Sequence, residues 1–180
     1  MRRAIYGMLL ALCVAAFLAA LPTALSSSSG KTIVEMSDDC DPTTFNAPFP
    51  AGVGPGTCVE DGDVTFQEFQ AEFAATGQVE DWEFDPGRDR VNSGEAIRAK
   101  NDGGEVHSFT KVAAFGGGFV PPLNKFAGPT VPECEFPGVA SSIVDPGEKS
   151  NPVVLPPGTY KFQCCIHPWM KSTITVRDRR

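Results

Sequence analysis

Along most of the chain, apolar and polar residues alternate over short runs. "KTIVEM" at 31–36, "DWEFDP" at 81–86, "EAIRAKN" at 95–101, "VHSFTKV" at 106–112, "SSIV" at 141–144, "GTYKFQC" at 158–164 and "STITV" at 172–176 each read as a strand. Such alternation puts one face of a strand in a core and leaves the other outside. The 16 prolines and 18 glycines are spread between these runs rather than gathered into one linker. Seven short strands punctuated in this way predict an all-β sandwich. No internal repeat is visible, which sets solenoids and propellers aside.

One stretch has a different period. In "DVTFQEFQAEFAATG", Val64, Phe66, Phe69 and Phe73 recur at helical spacing, Asp63 is placed to cap the start, and Gly77 ends the run. This predicts one short amphipathic helix near residues 64–76, laid on the sandwich. Gly62 and Glu68 echo a calcium loop, but Thr57 and Val59 stand where that pattern requires acidic oxygens. The glycine- and proline-rich "FGGGFVPPLNKFAGPTVPECEFPG" at 115–138 reads as a long ordered loop, a kind of segment that often carries function.

The first residues belong to no strand. Arg2 and Arg3, an apolar run from Ala4 to Leu21 and then small residues have the layout of a secretory signal over residues 1–26, with an uncleaved membrane anchor as the alternative. Lipidation of Cys13 is disfavoured, because Leu12 occupies a position that wants a small residue. Either reading places the folded part in an oxidising, extracytoplasmic space, periplasmic or secreted. About 150 residues remain, enough for one well-buried domain. They divide into an extension at 31–79, with a disulfide loop and the helix packed on the sandwich, and the sandwich proper at 80–180.

The whole chain has 15 Lys plus Arg against 22 Asp plus Glu, and without Arg2 and Arg3 the balance is 13 against 22, a net charge of about −9. Nucleic acid is excluded as a partner on this count. A protein with a basic surface fits, although acidity also simply keeps a secreted protein soluble.

The candidate chemistry is scarce and concentrated. His107 and His167 are the two histidines of the chain, too few for a multicopper oxidase or a hydrolytic zinc site. In "GTYKFQCC", strand parity puts Tyr160, Phe162 and Cys164 on the apolar inner face and Lys161, Gln163 and Cys165 on the outer one. Pro168 then forces a turn that carries His167 and Met170 back over the strand end. Cys164, His167 and Met170 form C-x-x-H-x-x-M, a thiolate, an imidazole and a thioether, which copper accepts in both oxidation states. His107 in "NDGGEVHSFT" can supply one further nitrogen.

"LPPGTYKFQCCIHPWM" followed by "STITV", together with "GEAIRAKNDGGEVHSFT", resembles the blue-copper (cupredoxin) family of plastocyanins and amicyanins. The resemblance runs over about 80–176. It implies a Greek-key β-sandwich holding one mononuclear type 1 copper on His107, Cys164, His167 and Met170. It further implies a one-electron carrier rather than an enzyme, served by a redox protein partner and taking no small-molecule substrate. Asn101 and Ser108 would stand behind the ligands, Ser108 where plastocyanins have Asn, which leaves their tie between ligand loops open. Ser172 stands where a Gly often follows the axial Met. Pro168 and Trp169 either pack or form an apolar rim around the edge of His167 through which electrons pass. A copper storage or delivery protein of the same fold is the alternative, against which the 4 methionines, two of them Met1 and Met8 in the signal, argue.

With Cys164 a ligand, Cys40, Cys58, Cys134 and Cys165 remain, an even number suited to an oxidising compartment. The expected pairs are Cys40 with Cys58 across a loop lacking its own core, and outward Cys165 with Cys134 in the long loop. A Cys164–Cys165 vicinal disulfide or a zinc site using both neighbours are the rivals.

Overall fold

The computed structural model describes residues 31–179; the signal or anchor expected at 1–26, with Cys13, lies outside the described residues. The strands are β1 (Lys31–Ser37), β2 (Glu83–Asp85), β3 (Arg88–Asn92), β4 (Ala96–Asn101), β5 (His107–Ser108), β6 (Thr110–Val112), β7 (Ile143–Val144), β8 (Val153–Val154), β9 (Gly158–Gln163) and β10 (Lys171–Arg177). They form two four-stranded sheets, in the orders β2-β1-β4-β8 and β3-β10-β9-β6, and a small β5-β7 pair. β1 runs parallel to β4 with Val34 opposite Ala99, and β10 runs parallel to β3 and antiparallel to β9.

Alternation decides what faces inward. Val34 and Met36 from β1 and Ile97 and Ala99 from β4 meet Phe162, Ile174 and Val176 of the other sheet in one buried cluster, as expected of a sandwich. Phe109 lies flat against Phe162, with ring centres 4.3 Å apart. Every run expected from the sequence contains a strand; β3 and β8 are additions. "RDRVN" escaped notice because Val91 is its one apolar residue, sufficient for an edge strand that buries a single side chain.

Helices α1 (Pro42–Phe45) and α2 (Phe66–Thr76) lie between β1 and β2. The start of α2 corrects the expected cap: Thr65, not Asp63, is the N-cap. Its hydroxyl accepts from the Glu68 amide, and the Glu68 carboxylate accepts from the Thr65 amide. This reciprocal pair is the S/T-x-x-E capping box, and it occupies the carboxylate that a calcium loop would have needed. Val64 sits before the helix, bridged to Cys40. Gly77 closes α2 at φ 81°, a left-handed conformation that glycine adopts without a Cβ clash.

The stretch after β1 is held by the Cys40–Cys58 disulfide and by an aromatic stack. Phe45, 1% exposed, packs on Phe66, Phe69 and Trp82 with ring centres 5.3 to 5.7 Å away. The amide of Val59 donates to Gly104 at 3.0 Å, joining this stretch to the turn between β4 and β5.

The long loop is ordered, with 3-10 turns at Pro121–Asn124, Pro132–Cys134 and Gly138–Ser142. It corrects one reading of strand parity. Gln163 and Cys165 do point away from the aromatic face, but both are fully buried, because the loop covers that side. The Gln163 side chain donates to the carbonyl of Gly116 and accepts from its amide, both at 3.1 Å, and Cys165 is bonded to Cys134. Gly118 is required here: a Cβ would come within 1.8 Å of the Cys165 carbonyl oxygen. Loss of the Cys134–Cys165 bridge, which closes 31 residues, is expected to lower unfolding free energy by about 3–4 kcal/mol on chain-entropy grounds. Denaturant unfolding of the Cys134→Ser, Cys165→Ser double variant checks this.

Candidate metal centre

β9 ends at Gln163 and β10 begins at Lys171, so the two strands present residues 164–170 as a tight loop. The Cys164 amide donates to the Met170 carbonyl and the Met170 amide to the His167 carbonyl, each at 3.0 Å. His107 comes from β5, aligned by its pairing with Val144. The loop and β5 bring His107, Cys164 and His167 together, with one possible ligand atom from each lying within 4.8 Å of the others. Their closest approaches are 3.4 Å between the two Nδ1 atoms and 3.8 Å from Cys164 Sγ to His107 Nδ1. All three are buried, as is Met170. The sulfur of Cys164 also accepts from the amides of Ser108 and His167 at 3.4 Å.

Two facing sheets, with a Cys/His loop joining adjacent strands of one and a second His entering from a short strand at the same end, decide the architecture. The fold is cupredoxin-like. No family model and no curated protein matches the chain. Among solved structures, a purple cupredoxin from Nitrosopumilus maritimus is 16% identical, covering 82% of this chain and 100% of its own, at a TM-score of 0.42. Oxidised plastocyanin from Dryopteris crassirhizoma is 20% identical over 81% of this chain and 100% of its own, at 0.38. A Cu(I) amicyanin mutant is 14% identical over 53% and 73%, at 0.36. At such scores the architecture rests on the strands and their register.

What lies behind the imidazoles was not visible in the sequence. His107 Nε2 is 2.8 Å from Asp38 Oδ2, and neither side chain is exposed. Burial pushes the Asp38 carboxyl up, but the hydrogen bond and charge of His107 outweigh it and hold the group below the usual carboxylate range. An ionised carboxylate can only accept, so Nε2 carries the hydrogen and the Nδ1 of a neutral ring offers its lone pair to the centre. Asp38 is itself fixed by the amides of Cys40, Gly104 and Glu105. On the other ring, His167 Nε2 lies 3.5 Å from Glu105 Oε2, which accepts from Trp82 Nε1 at 2.8 Å. Burial raises the Glu105 pKa, partly offset by His167 and Trp82.

In this cupredoxin-like chain Ser108 ties its own strand to the 164–170 loop, a link that its replacement of Asn had left open. Its hydroxyl accepts from the Cys165 amide at 2.7 Å, and its amide donates to the Cys164 sulfur. Asn101 braces the β4–β5 turn, donating to the carbonyls of Glu105 and Val144 and accepting from the Gly103 amide. Ser172 is buried and donates to the Pro86 carbonyl. Pro168 is buried and Trp169 is half-buried. The Trp169 ring lies 5.4 Å from that of His167, and Phe69 and Trp82 close the other sides at 6.2 and 6.5 Å. His167 is therefore 3% exposed.

Two imidazole lone pairs and a sulfur converging in a dry pocket repel one another unless a cation or a proton sits among them. In the metal-free protein a proton takes that place. Burial opposes charge on His107, but hydrogen bonds to Asp38 and Cys164 raise its pKa to about 9. Burial pushes the Cys164 thiol up, and hydrogen bonds from both histidines bring it well below the ordinary thiol range. Metal-free protein at pH 7 is thus expected to show the ultraviolet absorbance of one thiolate, retained until acid protonates it and missing in Cys164→Ser. An ordinary thiol would instead gain that absorbance only as the pH rose through about 8.5.

Proposed function

We propose that the protein is an extracytoplasmic one-electron carrier built on a mononuclear type 1 copper, with His107, Cys164 and His167 as strong ligands and Met170 as the weak axial one. The observation that carries this reading is the convergence of two imidazole Nδ1 atoms and one thiolate, all buried, at one end of a β-sandwich. Copper, once bound, supplies a couple that gains or loses one electron without substrate chemistry. The chain does the rest. Asp38 and Glu105 hold the rings in orientation, and the amides of Ser108 and His167 stabilise negative charge on the sulfur. The packed core around Phe109 and Phe162 resists movement of the loop, so the ligand set changes little between oxidation states.

Two disulfides suit an oxidising compartment, and among the described residues no helix is long and apolar enough to cross a membrane. The partner is a redox protein, and the acidic balance of this chain favours one with a basic surface. Trp169 with Pro168 forms the rim beside His167. Enclosure of the centre disfavours delivery, which needs an open site that surrenders its metal.

Titration of the purified protein with Cu(II) tests this reading. One copper per chain with an intense visible sulfur-to-copper band, reversibly bleached by one electron, is the expected result. Colourless protein that holds Cu(I) tightly would replace the carrier with storage.

A further inference from the structure

The stretch that covers the centre does not fill the space it encloses. Between the Cys40–Cys58 loop, α2 and the 120–123 turn lies a cavity of about 530 Å³ whose walls include Phe45, Phe66, Phe69 and Phe73. Those four rings are at most 8% exposed, whereas Phe49 and Val53, which also line it, are 82% and 49% exposed and mark its mouth. Gln70 is the polar residue on the exposed part of the lining; the buried polar groups are Glu105 and His167. We propose that this cavity binds a small, uncharged aromatic molecule carrying a hydroxyl group, with the ring among the phenylalanines and the hydroxyl donating to Glu105.

Three features select this class of ligand. The volume falls within the roughly 300–1,000 Å³ of small-molecule sites and exceeds what one partner side chain would fill. Aromatic walls favour a ring, which gains edge and face contacts as well as burial. The single carboxyl at the inner end accepts one hydrogen bond from Trp82 and has lone pairs left in either protonation state. It therefore accepts from a hydroxyl in either state, and the acidic chain as a whole disfavours anions. The site extends beyond electron transfer to a protein partner, because it places a small molecule against the edge of His167.

The test uses metal-free protein, so its outcome does not depend on the copper reading. Naphthol and naphthalene are titrated separately, followed by calorimetry and by the fluorescence of Trp82 and Trp169. Saturable binding of one naphthol per chain is expected, with naphthalene weaker by about tenfold or more for want of the hydrogen bond to a carboxyl. Val53→Trp, placed at the exposed mouth, should weaken both at least tenfold while leaving thermal stability unchanged. Equal affinity for the two aromatics, or binding unaffected by Val53→Trp, overturns the proposal. So does the absence of saturable binding.

Discussion

Cys164→Ser is expected to abolish the intense visible band of Cu(II)-loaded protein and to lower copper affinity by more than about 100-fold, since loss of a mere outer partner of a ligand costs about 10–100-fold. Serine fits the same buried position, 0% exposed, and can still accept from the amides of Ser108 and His167. Only the soft thiolate is lost. Cys165→Ser is the control, because its sulfur is bonded to Cys134 on the opposite side of the strand. It should cost stability and keep the colour. The experiment is absorption spectroscopy with metal quantification on both variants; an intense band surviving in Cys164→Ser would remove the thiolate from the ligand set.

The division of the adjacent cysteines was legible because a strand has a period of two. Tyr160, Phe162 and Cys164 had to share a face, and the spacing to His167 picks the same cysteine. The burial of Cys165 and Gln163 was not legible. Parity says which side of a sheet a residue takes, but not whether a loop more than twenty residues away will cover that side. The same limit applies to β3, whose charges describe an edge strand and equally describe a turn.

The residues behind the two histidines were hidden for a different reason. Asp38 meets His107 across 69 positions of sequence, and nothing distinguishes it locally from the other 21 acidic residues. A hint lay in the disulfide loop beside it: Cys40 and Cys58 tie down a stretch with no strand of its own, and such a tether holds something in place. In the structure that stretch holds Asp38 on one histidine and, through Phe45 and Phe69, an aromatic wall on the other.

Asp38→Ala should therefore act at two levels. It removes one partner of a buried pair and strands four donors, the amides of Cys40, Gly104 and Glu105 and the Nε2 hydrogen of His107, for a loss of about 3–5 kcal/mol in unfolding free energy. Asp38→Asn separates stability from metal binding. Its amide nitrogen must face either the Glu105 amide and His107 Nε2 or the amides of Cys40 and Gly104, and donors meet donors in both orientations. With the nitrogen toward His107, relief comes if the ring moves its hydrogen to Nδ1, so that Nε2 accepts. That tautomer has no lone pair for the metal. Copper affinity should fall about 10–100-fold in Asp38→Asn although the fold persists, and nitrogen NMR of the metal-free protein should show His107 Nε2 without the hydrogen it carries in the parent protein. Glu105→Gln is expected to do much less. Its contact with His167 is longer, at 3.5 Å, and a glutamine oxygen can still accept from Trp82. If the two substitutions weakened copper binding equally, the carboxylate behind His107 would have no special part in fixing its tautomer.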